Sequence, residues 1–197
     1  MTKPLLAASL ALAILTSTTA CGSSTMTNPD IKTKAHPTKR YELTVTIKDA
    51  PGTFDSMQTM VQYDVTNPFC APTRPGSGAT NAPDKTVTIP MTKTGENTYS
   101  GEFYADLMED GDYYGKGVCR WQLTGVTTYL QHKSLMMTPG MSPKSIEAQK
   151  AETWYFSGLS YAQADSERVD VGITDGSKLL PSDHPFSVTY TAKERFQ

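Results

Sequence analysis

Residues 41–48 read YELTVTIK, and Tyr41, Leu43, Val45 and Ile47 alternate strictly with Glu42, Thr44, Thr46 and Lys48. A period of two predicts a strand with one buried face and one wet face. Asp49-Ala50-Pro51-Gly52 interrupts it. A second strand follows, with Met57, Val61, Tyr63 and Val65 on one face and Gln58, Gln62 and Asp64 on the other, ending at Asn67-Pro68. Shorter alternations predict a third strand over 85–91 through Val87, Ile89 and Met91, and a fourth over 98–105 with Tyr99 and Phe103 on one face. In a fifth, over 118–130, Cys119, Trp121 and Leu123 share one parity, whereas Val126, Thr128 and Leu130 take the other. A glycine, Gly125, sits at that slip, which predicts a bulge or bend. Further strands are read over 151–157 around Trp154 and Phe156, and over 186–193 through Phe186, Val188, Tyr190 and Ala192. Ser142 followed by Pro143 is a helix-start signal. About seven strands, little helix and frequent turn residues predict a mainly β chain, an antiparallel β-sandwich of immunoglobulin-like architecture with long loops. Cys119 and Trp121 share a face as in immunoglobulin sandwiches, but their spacing differs, so the expectation is the architecture and not that family.

Upstream of the first strand the composition changes twice. Residues 1–20, MTKPLLAASLALAILTSTTA, carry Lys3 ahead of a short apolar run from Leu5 to Leu15, then small residues. The run is too short to span a bilayer, so it reads as a removable signal peptide. Small residues before Cys21 and Gly22-Ser23-Ser24 behind it resemble the lipobox of bacterial lipoproteins, with Thr18 standing where that family usually carries Leu. The resemblance implies lipid on Cys21 and a chain held on a membrane surface through it. Gly22 rather than Asp after the cysteine implies an outer-membrane lipoprotein facing the periplasm. The alternative is an ordinary secretory peptide cut after Ala20. Residues 21–40 mix Ser, Thr, Lys and Pro with almost no apolar content and read as a flexible tether of roughly 25 Å reach. The folded domain is expected over 41–197.

Removing residues 1–20 leaves 177 residues, enough for one well-buried domain, and moves the net charge from −2 to −3 by discarding Lys3. A slightly acidic chain with interspersed signs gives no electrostatic case for nucleic acid. Of the three cysteines, Cys70 and Cys119 remain once Cys21 is assigned to lipid, and export makes a disulfide between them the expectation.

Signatures of catalysis are sparse. The sequence holds no G-x-S-x-G elbow, S-x-x-K pair or H-E-x-x-H. Of three histidines, His36 falls in the tether, and His132 and His184 sit in no spacing that sets a base beside a nucleophile. No catalytic residue and no cofactor is expected. Met136, Met137 and Met141 beside His132 offer thioethers and an imidazole, a set suited to Cu(I), but core filling by methionine explains the cluster better. Asp106, Glu109, Asp110 and Asp112 lack the ligand spacing of a calcium loop. No metal site is expected.

Aromatic density in the second half suits a protein-recognition surface. Asp110-Gly111-Asp112-Tyr113-Tyr114 is expected to form a hairpin tip with outward tyrosines ringed by carboxylates. Together with the Pro/Gly-rich loop 71–84, APTRPGSGATNAPD, this is the expected partner surface, with Asp110, Asp112, Tyr113 and Tyr114 as its contacts. The run GEFYADLMEDGDYYGKGVCRW (101–121), after CAPTRPGSGAT (70–80), resembles a family of small proteobacterial periplasmic lipoproteins, some of whose members are encoded beside secreted lipase-type toxins. That resemblance implies an immunity protein whose partner is such a toxin. A structural or assembly lipoprotein of the envelope is the alternative, and a copper-handling protein the third reading.

Overall fold

The structure is a computed structural model that describes residues 29–196. The expected signal peptide over 1–20 and the expected lipid site Cys21 lie outside the described residues. The chain builds β1 (Arg40–Lys48), β2 (Ser56–Val65), β3 (Asp84–Ile89), β4 (Thr92–Lys93), β5 (Thr98–Tyr104), β6 (Trp121–His132), β7 (Leu135–Met137), β8 (Gly140–Met141), α1 (Pro143–Glu147), β9 (Glu152–Phe156), α2 (Gly158–Ala162), β10 (Arg168–Asp170) and β11 (Phe186–Arg195). They form two open sheets, β4-β5-β1-β11-β9 and β10-β7-β6-β2-β3, with β8 paired to β6. The fold is mainly β and a sandwich, as the alternation requires.

The first strand sits at the centre of its sheet, paired antiparallel with β11 on one side and β5 on the other. Its alternating residues Tyr41, Leu43, Val45 and Ile47 are buried, and so are Phe186, Val188, Tyr190 and Ala192 of β11. Opposite them lie Val61 and Tyr63 of β2 and Leu123, Val126 and Leu130 of β6, closing one apolar core. The slip at Gly125 is a bulge: Gln62 pairs with Gly125 but Tyr63 pairs with Leu123, leaving Thr124 extra. Both parities of β6 thereby face the core in turn. Gly101 on β5 is a required glycine, since a Cβ there would lie 2.6 Å from Met91 Sδ and 2.9 Å from the Pro90 carbonyl. Ser142 caps α1 through its hydroxyl to the Ser145 amide, with Pro143 in the first turn.

Methionine fills the core where the Met-rich segment folds. Met137 and Met141 are fully buried, on β7 and β8, and are core residues rather than a ligand set. The loop-rich stretch after β9 carries α2 and the short β10, which pairs parallel with β7. Its exit crosses between the sheets, since Ile173 bridges to Tyr155 of β9.

The tether expectation needs correcting for its second half. Lys34 donates to the Leu107 carbonyl at 2.8 Å, Glu109 donates to the Lys32 carbonyl at 3.0 Å, and Thr33 bridges to Met108. Ile31 packs against the core. Composition hides this because the pairing uses backbone groups, with Ile31 the one apolar foothold.

Candidate functional site

One end of the sandwich gathers the loops. Strand β2 ends there, runs into a 3-10 turn at Pro68–Cys70, and is bonded to Cys119 just before β6. The Cys70–Cys119 disulfide is present, with Cα atoms 5.2 Å apart, and both cysteines are buried. Asn67 braces the same junction: its side-chain amide donates to the Val118 carbonyl at 2.8 Å and its oxygen accepts from the Arg120 amide at 2.8 Å. The Tyr63 hydroxyl, donating to the Tyr104 carbonyl at 2.6 Å, ties this end of β2 to the end of β5 in the other sheet.

The expected hairpin tip is not a tip. Gly111 pairs with Cys119 through two backbone hydrogen bonds of 3.3 and 2.9 Å, closing the loop 112–118. Gly111 does not take positive φ, whereas Gly115 (67°) and Gly117 (104°) do, so the chain turns there instead. Asp110 accepts from the Trp121 amide at 2.8 Å and Asp112 from the Lys116 amide at 3.0 Å. Both carboxylates therefore hold the loop's own backbone instead of ringing an aromatic pair. Tyr113 lies against Gly111 and donates to the Glu109 carbonyl. Tyr113 and Tyr114 are half-buried, and burial raises the Tyr114 phenol above its ordinary value. The outward-tyrosine expectation is thus corrected: the disulfide pins Cys119 beside β2, and the loop folds back over its own base.

The exposed apolar groups at this end are others. Phe69 is 84 % exposed and Val118 47 %, and each is the residue before a disulfide cysteine. Neither was singled out from the sequence. Parity could have found Val118, since a residue beside an inward Cys119 on extended chain must face out. The loop 71–84 stands beside them and is partly built: Arg74 donates to the Ala79 carbonyl at 2.8 Å and Thr73 bridges to Thr80, with Gly76 (89°) and Gly78 (67°) supplying the positive φ.

Between the sheets at this end opens a cleft of about 400 Å³, floored by Tyr41, Tyr63, Trp121 and Leu123 and rimmed by Lys39 and Asp110. The Trp121 indole nitrogen is buried there without a hydrogen-bond partner. Burial, then the nearby Asp106 charge, raises the Tyr63 phenol; burial, then Glu194 and Glu147, raises Tyr41. Both stay neutral hydrogen-bonding groups at physiological pH. His132 and His184 are at the opposite end, one stacked on Tyr161 at 3.8 Å, the other closing the turn before β11. Among the described residues no three His, Cys, Asp or Glu cluster as metal ligands. The arrangement offers recognition chemistry: apolar protrusions, a braced loop frame and neutral phenols. Compared with protein-family models, curated proteins and solved structures, the chain finds no match, so the resemblance rests on the quoted residues alone.

Proposed function

We propose that this chain is a lipid-anchored periplasmic binding protein of immunity or inhibitor type, which neutralises a toxin or enzyme by covering it with the disulfide end. The observation that carries the reading is the exposed pair Phe69 and Val118, set on loops that a disulfide and Asn67 hold rigid. Preorganised apolar anchors bind with less ordering cost than mobile ones, and aromatic residues dominate binding hot spots. The leader pattern before Cys21 supports the anchor, and among the described residues no helix is long and apolar enough to cross a membrane. The resemblance in residues 70–80 and 101–121 favours a lipase-type toxin as partner.

The test is capture from periplasmic extract with the purified protein, identification by mass spectrometry, and then a variant series. Phe69→Ala should weaken the captured complex by roughly thirtyfold, about 2 kcal/mol for one lost hot spot, and Phe69→Ala with Val118→Ala by more than that, with thermal stability unchanged. Tyr114→Ala should cost less. Unchanged affinity in the Phe69/Val118 variant would remove the disulfide end from the interface. Capture of a standing envelope component instead would favour the assembly-lipoprotein reading.

A further inference from the structure

The cleft between the sheets holds polar chemistry that the fold does not use. Tyr41, on β1, is 5 % exposed and lines the cleft, so the little of it that is free faces that space. Its hydroxyl has no hydrogen-bond partner among the described residues, whereas that of Tyr63 donates to the Tyr104 carbonyl at 2.6 Å. A phenol can donate and accept, and one so deeply set without a protein partner must be satisfied from the cleft.

The charges around it have a sign. Lys34 and Asp106 pair at 3.2 Å and cancel. Lys39, exposed on the strap 31–39, and Glu147, exposed at the end of α1, enter no ion pair among the described residues. Asp110 has one oxygen on the Trp121 amide. Two carboxylates thus face one ammonium around the cleft. The field at the floor agrees. Beyond burial, Glu194 and Glu147 push the Tyr41 phenol up and Asp106 pushes up that of Tyr63, with no cation opposing either.

We propose that this cleft binds an organic cation, an ammonium or guanidinium group on a short apolar stem, its head beside Glu147 and the Tyr41 hydroxyl and its stem over Trp121 and Leu123. The phenol oxygen accepts from the cation's N–H, Glu147 balances its charge, and the aromatic lining favours a cation over a neutral group. An anion is excluded from the same position, since it would lie next to the two glutamates whose charges already reach the phenol. A volume of about 400 Å³ is at the small end of ligand sites, which suits one small molecule or one long basic side chain. The inference is independent of the anchor at Cys21 and of the Phe69 and Val118 surface, and stands if either of those readings fails.

The test titrates butylguanidinium, cationic at every accessible pH, into the isotopically labelled protein and follows its two tryptophan indole N–H resonances. Trp121 lines the cleft; the Trp154 indole lies elsewhere, donating to the Gly140 carbonyl at 2.6 Å, and Trp154→Phe assigns the pair. The Trp121 signal should move saturably while that of Trp154 stays still. Butylurea, the neutral isostere, should bind roughly tenfold more weakly. Glu147→Gln and Tyr41→Phe should each weaken butylguanidinium about fivefold, and Lys39→Ala should tighten it. Glu147 and Lys39 are exposed, so their variants decide the matter if Tyr41→Phe misfolds. The blocked peptide acetyl-Gly-Arg-Gly-amide reads the source of the cation: tighter binding than the free probe assigns it to a protein partner's side chain, and weaker binding to a small molecule. A still Trp121 signal with both probes overturns the proposal. So does equal binding of butylurea, unchanged affinity in Glu147→Gln, or movement of both indoles together.

Discussion

Removing the disulfide should cost stability without rearranging the candidate site. Cys70 and Cys119 lie 49 residues apart, and closing that loop in the unfolded chain costs roughly 14 cal/mol/K, about 4 kcal/mol at 25 °C in the chain-entropy account. That stabilisation acts on the unfolded ensemble. The folded junction has its own bracing: Thr66 donates to the Arg120 carbonyl at 2.8 Å, and Asn67 holds Val118 and Arg120. Both cysteines are buried, and Cys70→Ala/Cys119→Ala leaves small apolar groups where the sulfurs were. The expected double variant folds, keeps Phe69 and Val118 exposed, and loses about 4 kcal/mol, nearly a thousandfold in the folding equilibrium. Urea unfolding followed by tryptophan fluorescence measures this, and the slope should steepen because the uncrosslinked chain expands further. A loss below about 1 kcal/mol would refute the entropy argument. Failure to fold in buffer alone would refute the claim that Asn67 and Thr66 suffice to shape the junction.

Two further outcomes follow from buried hydroxyls and from the Asp106 carboxylate. Thr59 and Thr128 are fully buried and share a 3.0 Å hydrogen bond across β2 and β6, and Thr128 also reaches Tyr190. Thr128→Val should cost about 1–3 kcal/mol in urea unfolding by stranding the Thr59 hydroxyl, while Thr59→Val/Thr128→Val should cost less than that single change; additive losses would count against this. Burial pushes the Asp106 carboxyl up, but the Lys39 and Thr38 amides and the Lys34 ammonium more than offset it, leaving its pKa below the ordinary aspartate value. A lowered folded pKa stabilises the hold on Lys34, Thr38 and Lys39 above the ordinary value and loses that contribution as pH falls through the folded one. The Thr38 and Lys39 amide resonances, beside Lys34 and the neutral Tyr63 phenol, should therefore move only in the acid range below ordinary aspartate, and a midpoint at or above it would refute these contacts to Asp106.

The sandwich was legible because burial on one face leaves a strict period of two. Leu43, Val45 and Ile47 announce β1, and Val188, Tyr190 and Ala192 announce β11. Even the irregularity at Gly125 was readable, because a parity change at a glycine marks a bulge or bend, and the register shows which. The disulfide followed from counting cysteines in a chain whose leader reads as an export signal. What escaped were features made by backbone groups and by distant side chains. The strap 31–39 has tether composition, and nothing near Thr38 or Lys39 in sequence points to a carboxylate 68 residues away. Its order comes from a partner that local pattern cannot name.

The loop 110–119 shows the same difficulty at the site itself. Asp-Gly between strands favours a two-residue hairpin when the flanking strands are free to pair with each other. Here they are not. Cys119 is bonded to Cys70 at the end of β2, and β6 is committed to β2 over ten paired positions. The chain after Asp110 must therefore reach β2's neighbour in the second sheet rather than fold back along β5. That crossing uses up the acidic groups as backbone acceptors and draws Tyr113 down over Gly111. The same constraint forces the residues next to each cysteine outward. With Cys119 facing in, the extended backbone turns Val118 to solvent, while Phe69 projects from the 3-10 turn that delivers Cys70 to the bond. The exposed groups of the proposed surface thus stand one residue before each bonded cysteine, at a junction that Thr66 and Asn67 also brace.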